Sequence, residues 1–233
     1  MEIGGLQKVT LIDYPGKIAC TVFVVGCNFR CPFCYSSELV IPEKIENQPR
    51  IKEADFFDFL KERQGLLEGV VICGGEPTIN KDLPTFIKKI KKYDYLVKLD
   101  TNGSNPSMLA KLIKAKLIDY VAMDIKAPQK KYCEAAGRKI NVLDIEKSIN
   151  ILKNSKIEYE FRTTVVPGLL EKKDIIEIAK WIGPEGKYFL QNFRPEKTLN
   201  PAFEKIRPYK DDYLLEIKKA IEPFFDICKI RGI

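Results

Sequence analysis

The chain has 233 residues and a formal net charge of +7, and 45% of its residues are hydrophobic and 30% charged. This composition is typical of a globular protein with a sizeable core, and it excludes a fibrous or disordered chain. Because there is no histidine, a Ser–His hydrolase and a Cys/His zinc site cannot be built from this chain alone. We expect the excess lysines to form a solvated surface, so a nucleic-acid partner is not expected, although an acidic protein partner stays open.

No segment has the pattern of a membrane anchor or a secretion signal. The longest apolar run near the start, Ile18 to Val25, is far too short to span a bilayer. No basic segment followed by an apolar one opens the chain, which argues against a signal peptide. We therefore expect a cytoplasmic protein that has no membrane partner.

Strand and helix patterns alternate along the chain. In chain order, strands and helices take turns over Ile18–Val25, Glu53–Arg63, Val70–Cys73, Asp82–Lys92, Tyr95–Leu99, Pro106–Lys116, Ile118–Ile125, Leu143–Asn154, Ile157–Val166, Lys172–Ile182, Tyr188–Asn192 and Asp211–Ile221. The tail Phe224–Lys229 is either strand or loop. Six strand–helix units in series predict parallel strands covered by helices, in an open doubly wound sheet or a partial α/β barrel. We expect one domain over residues 1–233, with a core of about 18–194 and a C-terminal helix and tail over 195–233.

Polar or glycine-containing segments follow every predicted strand. They are Cys27–Cys34, Gly74–Pro77, Asp100–Gly103, Asp124–Lys126, Val166–Gly168 and Gln191–Arg194. Parallel α/β folds build their sites at the carboxyl ends of the strands. The sequence therefore predicts one shared active site at this edge of the sheet.

Three cysteines of the first segment, Cys27, Cys31 and Cys34, lie within eight residues. A [4Fe–4S] cluster normally takes four cysteines, so three would leave one iron open to a small molecule. The alternative is a structural zinc ion, for which Cys20 or Cys73 would supply the fourth ligand. The count of seven cysteines is odd and their spacing uneven, which argues against a disulfide framework.

The cysteine loop has the pattern C-x3-C-x-aromatic-C and is followed by the Gly74–Pro77 turn. This combination resembles the radical S-adenosylmethionine (SAM) superfamily. The segments Gly5–Gln7 and Leu11–Gly16 further resemble activating proteins of glycyl-radical enzymes, and most closely those that serve anaerobic ribonucleoside-triphosphate reductase. The resemblance implies a partial (β/α)6 TIM-like barrel of parallel strands in a single domain.

The same resemblance implies one [4Fe–4S] cluster on the three cysteines, with SAM bound at its open iron. The reduced cluster would cleave SAM to methionine and a 5′-deoxyadenosyl radical, which would remove a hydrogen atom from a glycine of a partner enzyme. That partner would be of the anaerobic ribonucleotide reductase or pyruvate formate-lyase type, with a flavodoxin or ferredoxin as the electron donor.

The resemblance also assigns roles to individual residues. The backbone of Gly74 and Gly75 would approach SAM, and Glu76 would accept hydrogen bonds from its amino group. Lys126 would meet the carboxylate of the cofactor. Asp100, Thr101 and Asp124 would surround a monovalent cation. Further candidate cofactor contacts are Phe33, Tyr35, Thr101, Asn102, Asp124, Arg162 and Arg194.

Two other functions stay open. The radical chemistry could act on a small molecule, as in 7-carboxy-7-deazaguanine synthase, or the protein could be a non-enzymatic zinc-binding interaction module. The long connection Ala127–Val142 lies on the predicted site edge, and long connections of this kind are often functional. We expect it to bind the partner or to gate the mouth of the barrel.

Overall fold

A computed structural model describes residues 1–232, and its framework is one eight-stranded sheet. The strands are β1 Ile3–Thr10, β2 Ala19–Val24, β3 Gly69–Gly74, β4 Leu96–Thr101, β5 Tyr120–Asp124, β6 Glu158–Val165, β7 Lys187–Asn192 and β8 Ile227–Arg231. The helices are α1 Ser37–Val40, α2 Pro42–Glu46, α3 Glu53–Glu62, α4 Leu83–Lys91, α5 Pro106–Lys114, α6 Tyr132–Ala136, α7 Val142–Lys153, α8 Lys172–Ile182 and α9 Asp211–Ile221.

The strands are hydrogen-bonded in the order in which they follow along the chain. Strands β2 to β8 are parallel, and only the β1–β2 pair is antiparallel. A doubly wound sheet reverses its strand order at a switch point, whereas this order never reverses. The sheet therefore winds in one direction, and the predicted partial TIM-like barrel is confirmed.

The six predicted parallel strands correspond to β2 through β7, and the structure adds one strand at each edge. No strand was predicted before Ile18, because the alternation in β1 is interrupted by Gly4 and Gly5 and by polar residues. The tail, predicted as strand or loop, forms β8 over Ile227–Arg231, parallel to β7.

The main core lies between the sheet and the helices. In β3, Val70, Val71 and Ile72 are fully buried, as expected of a parallel strand covered on both faces. Helix α4 turns Phe86 and Ile87 toward the sheet, and burial of each such side chain contributes about 1.5–3 kcal/mol. The longest helix among the described residues, α7, has 12 residues, and no helix there has the length and apolar character needed to cross a membrane.

The turn between β1 and β2 closes the amino-terminal end of the barrel. Asp13 accepts a hydrogen bond of 2.7 Å from the Thr21 hydroxyl. The buried ring of Tyr14 lies 6.0 Å from that of Tyr120 and packs with Val71 in a small core separate from the main one. The segment Leu11–Gly16, which carries part of the resemblance to activating proteins, thus lies at the end of the barrel opposite the predicted site.

A buried ion pair lies next to Tyr120 and links β8 to β6. Glu160 of β6 has no exposed surface. Both of its carboxylate oxygens receive hydrogen bonds of 2.9 Å from Arg231, and Tyr120 donates another of 3.0 Å. The Arg231 guanidinium also lies 3.9 Å from the centre of the Phe189 ring, a favourable cation–π distance.

Candidate active site

The cysteine loop begins directly after β2 and holds its three thiols free of disulfides. Cys31 is buried, whereas Cys27 and Cys34 are partly exposed. Burial raises the pKa of Cys27 to about 11 and that of Cys31 to about 12, so without a metal both thiols are protonated at neutral pH. The Phe29 amide donates a hydrogen bond of 3.3 Å to the Cys27 sulfur.

The donor set fits an iron–sulfur centre better than a single zinc ion. A structural zinc ion takes four ligands that converge on one point. Over residues 1–232, no three His, Cys, Asp or Glu side chains are grouped so that they could hold one metal ion. Three thiols spread along one loop can instead reach separate irons of a larger cluster. Phe33, predicted beside the centre, is buried within this loop.

Helix α6 braces the loop from one side. The Arg30 amide donates to the Ala136 carbonyl at 2.8 Å. Gly137 follows with φ of +64°, and a Cβ atom there would overlap the Arg30 carbonyl. The rings of Phe29 and Tyr132 meet edge to face at 6.5 Å. The connection Ala127–Val142 therefore packs on the cysteine loop, while its predicted role in partner binding or gating stays a prediction.

A segment after β7 crosses the loop from the other side. The Leu199 amide donates to the Cys34 carbonyl at 2.8 Å, and the Asn200 amide donates to the Pro32 carbonyl at 2.9 Å. Sequence reasoning missed this contact, because main-chain hydrogen bonds between two loops leave no pattern in residue types. The loop is thus held at both ends by distant parts of the chain.

The Gly74–Pro77 turn packs against the start of the cysteine loop. The Glu76 amide donates to the Gly26 carbonyl at 2.8 Å, and the Gly75 amide donates to the Val24 carbonyl at 2.8 Å. A Cβ atom on Gly75 would overlap the Gly26 carbonyl, and Gly74 has a φ of +116°, which favours glycine. Both glycines are therefore required for the turn and the loop to meet.

The Glu76 carboxylate is fully engaged by the chain itself. Its oxygens accept from the Thr78 amide (3.1 Å) and hydroxyl, the Thr101 hydroxyl (2.7 Å) and the Asn102 amide (2.6 Å). Burial raises the pKa of Glu76, and these donors act in the opposite direction. Three of these donors reach Oε1 and only the Asn102 amide reaches Oε2, so the residue ties the turn to the end of β4, while its predicted contact with an amino group of SAM stays a prediction.

Asn102 connects the end of β4 to the cysteine loop. Its side-chain amide donates to the Asn28 side chain at 3.0 Å, and Asn28 donates to the Ser104 hydroxyl at 2.8 Å. Asn28 and Ser104 were not predicted. The sequence did indicate both, since each is a polar residue in, or directly after, a segment that follows a strand.

Five charged side chains from three neighbouring strands meet inside the barrel. Arg162 of β6 reaches Asp100 of β4 through Nη1 at 2.9 Å and Asp124 of β5 through Nε at 2.9 Å. Lys98 binds the other oxygen of Asp100, and Lys126 binds the other oxygen of Asp124 at 2.9 Å. Each of the four carboxylate oxygens thus has a cationic nitrogen as its partner.

The charges hold one another in the ionised state. Burial alone would raise the pKa of Asp124, but Arg162 and Lys126 hold that pKa well below its usual range. Asp100 behaves in the same way beside Arg162 and Lys98. Burial would lower the pKa of Lys126, yet Asp124 and the nearby Cys31 raise it far above its usual value. Lys126 is therefore a charged ammonium group next to the cysteine loop.

The residues of the predicted monovalent-cation site have partners from the chain itself. Asp100 and Asp124 already have nitrogen partners on every oxygen, and the Thr101 hydroxyl donates to Glu76. Three cationic side chains face two carboxylates, so the cluster carries a net positive charge that repels a further cation. Lys98, which is 1% exposed, was not predicted. It lies on the same face of its strand as Asp100, just as Lys126 lies on the same face as Asp124.

Tyr35 and Arg194 lie apart from this charge cluster. The Arg194 amide donates to the Tyr35 hydroxyl at 2.7 Å. The Arg194 side chain is exposed, and the Tyr35 ring, which is 39% exposed, stacks on Phe193. The structure therefore joins these two predicted residues to each other and not to the buried charges.

Comparison with known proteins gives matches over most of the chain. The model of the Radical SAM superfamily matches residues 21–182. A Methanocaldococcus jannaschii protein, named "Putative glycyl-radical enzyme activating enzyme", is 34% identical over 99% of this chain and 96% of its own length.

Solved structures with low sequence identity share the fold. Streptococcus suis SuiB bound to S-adenosylmethionine has a TM-score of 0.66 at 16% identity, covering 91% of this chain and 52% of the SuiB chain. A domain of pyruvate-formate lyase-activating enzyme from Bacteroides vulgatus has a TM-score of 0.57 at 15% identity, covering 70% of this chain and 99% of that domain. This chain therefore spans about half of SuiB and nearly all of the second structure.

Proposed function

The chain belongs to the radical SAM superfamily, a class of oxidoreductase-type enzymes that implies SAM and a [4Fe–4S] cluster, and on that premise we propose that it activates a glycyl-radical enzyme. The observation that carries the proposal is the position of Lys126. Its ammonium group is held by Asp124 beside three thiols that form no disulfide. The full-length match to a relative named as an activating enzyme supports the choice of a protein substrate.

In this proposal, each part of the site holds a different group. Cys27, Cys31 and Cys34 ligate the cluster, and Lys126 binds the carboxylate of SAM through a charge-assisted hydrogen bond. The close backbone approach of Gly74 and Gly75 to Val24 and Gly26 sets the turn against the start of the cysteine loop, where its backbone would approach SAM. When bound, the cluster and SAM supply a one-electron reductive cleavage that yields methionine and a 5′-deoxyadenosyl radical.

The chain itself positions these groups. Helix α6 and the Leu199–Asn200 segment fix the loop through main-chain hydrogen bonds, which limits motion of the thiols. Glu76 holds the turn and β4 together from a buried position. No residue is needed as a general base, which agrees with a chain that has no histidine. We propose a flavodoxin or ferredoxin as the electron donor.

The test is radical transfer to a partner under anaerobic conditions. The reconstituted protein, dithionite and SAM would be mixed with glycyl-radical proteins from the same genome, each beside its Gly→Ala variant. We expect a glycyl-radical signal in electron paramagnetic resonance with one partner, and no signal with its Gly→Ala variant. SAM cleavage that responds to a small-molecule fraction and to no glycyl-radical protein would contradict the proposal and favour a small-molecule substrate.

A further inference from the structure

We infer that Arg162 supplies, from within the chain, the positive charge between Asp100 and Asp124, so that this site takes no monovalent cation. The radical SAM resemblance leads one to expect a cation there, together with Thr101. The structure instead places a guanidinium group between the two carboxylates. The difference comes from one residue, Arg162. Because of it, the protein should need neither K⁺ nor Na⁺ at this site.

The strand register explains why Arg162 reaches both carboxylates. Asp124 and Arg162 are direct partners in the parallel β5–β6 pair, and Asp100 is paired with Ala122 on the other side of β5. Because Ala122 is small, the Arg162 side chain can pass over β5 to β4. A planar guanidinium group presents several donors in a fixed fork, so that one side chain can bind two carboxylates.

The surroundings of Arg162 leave no place for a second cation. Its side chain is 13% exposed, and the side chain of Asp100 is 11% exposed. The remaining carboxylate oxygens are bound by Lys98 and Lys126. Any metal ion there would have to displace a buried ammonium or guanidinium group, and it would then meet the others at short range.

The arrangement also suggests what Arg162 does for the proposed cofactor site. By neutralising Asp100 and one oxygen of Asp124, it leaves Lys126 with a positive charge that is not cancelled by its own partner. Such a charge attracts the carboxylate of SAM. This role toward the cofactor rests on the proposed function, whereas the exclusion of cations also concerns the protein without SAM.

The first experiment compares salts on the reconstituted wild-type protein. Thermal unfolding would be measured anaerobically in KCl, NaCl and tetramethylammonium chloride at equal ionic strength. We expect melting temperatures that agree within about 1 °C. SAM affinity from equilibrium dialysis should also agree within about twofold. A saturable stabilisation by K⁺ or Na⁺ that tetramethylammonium does not give would overturn the inference, whether or not the protein activates a partner.

The second experiment removes the guanidinium group. In Arg162→Ala, two carboxylates would face each other across an empty space, so K⁺ or Na⁺ should raise the melting temperature by about 3 °C or more over tetramethylammonium. Arg231→Ala is the matched control, because it removes another interior arginine but leaves only the single carboxylate of Glu160. It should be destabilised equally in all three salts.

Each possible result for Arg162→Ala either supports or overturns the inference that Arg162 takes the place of a cation. A folded Arg162→Ala protein that gains no more from K⁺ or Na⁺ than from tetramethylammonium would overturn the inference, because the carboxylates would then have no need of a cation between them. Should Arg162→Ala fail to fold, the wild-type comparison still gives the answer, and Arg162→Lys tests whether a single positive charge restores a salt-independent melting temperature.

Discussion

Two groups of charged side chains are buried inside the barrel, but only one group leaves charge over. In the first group, Glu160 is matched by Arg231 and Tyr120. In the second group, Lys98, Arg162 and Lys126 face two carboxylates. Thiols without disulfide partners lie beside that excess positive charge.

The difference separates stability from function. A balanced buried ion pair has all its partners and leaves nothing for a ligand to satisfy. An ammonium group with charge to spare beside free thiols can bind the carboxylate of a cofactor next to a metal centre. We therefore expect changes in the Glu160–Arg231 pair to alter the free energy of unfolding, and changes at Lys126 in the second group to alter cofactor binding.

The largest effect on stability is expected from Glu160→Gln. The substitution leaves the Arg231 charge without its partner, and breaking a buried pair costs about 3–5 kcal/mol. Because the Arg231 side chain is 33% exposed, we expect the lower part of that range in urea unfolding. Glu158→Gln, whose exposed carboxylate pairs with Lys187, is the control and should cost less than about 1 kcal/mol. A marked loss of SAM affinity in Glu160→Gln would contradict the separation of the two groups of charges.

The opposite behaviour is expected from Lys126→Met. The methionine keeps most of the side-chain stem but removes the ammonium group, so SAM affinity should fall by about 100-fold. Lys131→Met is the control, because Lys131 pairs with Asp174 at 2.9 Å and lies outside the charge cluster. Equilibrium dialysis on the reconstituted proteins measures both. Unchanged affinity in Lys126→Met would remove this residue from the proposed site.

A smaller effect is expected from Glu76→Gln, which tests a residue that is both buried and close to the site. A carboxamide cannot accept from all four donors, and a buried group left unpaired costs about 1–3 kcal/mol. Urea unfolding should show this loss. If Glu76→Gln lost SAM affinity while keeping full stability, Glu76 would bind the cofactor directly and not hold the turn.

The pH dependence of stability tests the ionised state of the two aspartates in the second group. Asp124 and Asp100 have pKa values below the ordinary 3.8 in the folded protein. Their contribution to stability is therefore complete above that pH and is lost as the pH falls through the lower folded pKa. We expect Asp124→Asn to flatten the dependence of the melting temperature on pH below about pH 4. An unchanged slope in that range would mean that Asp124 is not held ionised by its neighbours.

The smallest effect is expected from Arg194→Ala. The Arg194 side chain is exposed, and its hydrogen bond to Tyr35 uses the main-chain amide, which alanine retains. SAM affinity should change by less than about twofold, and stability by less than about 0.5 kcal/mol. A tenfold loss of affinity would restore Arg194 to the cofactor site.

Much of this architecture could be predicted, because it depends on patterns of residue type. Alternating apolar segments predicted β2 to β7, and the polar residues after them predicted where the site lies. The same rule of alternation that identified Asp124 and Lys126 would have identified Lys98 with Asp100.

Other features depend on the three-dimensional register and could not be predicted from spacing. To predict that Arg162 of β6 reaches Asp100 of β4, one must know that the small Ala122 lies between them. The main-chain hydrogen bonds of Leu199 and Asn200 to the cysteine loop involve no characteristic side chain. The packing of Tyr14 against Tyr120 depends on the edge strand β1 being antiparallel to β2.

The most direct test of the central claim is metal content combined with SAM cleavage. The protein would be reconstituted anaerobically with iron and sulfide, and 5′-deoxyadenosine would be measured after addition of dithionite and SAM. Cys31→Ala would be compared with Cys133→Ala, since Cys133 is exposed and outside the loop. We predict about four irons per chain and 5′-deoxyadenosine in wild type and Cys133→Ala, with both lost in Cys31→Ala. A single zinc ion per chain, or cleavage that persists in Cys31→Ala, would contradict the account.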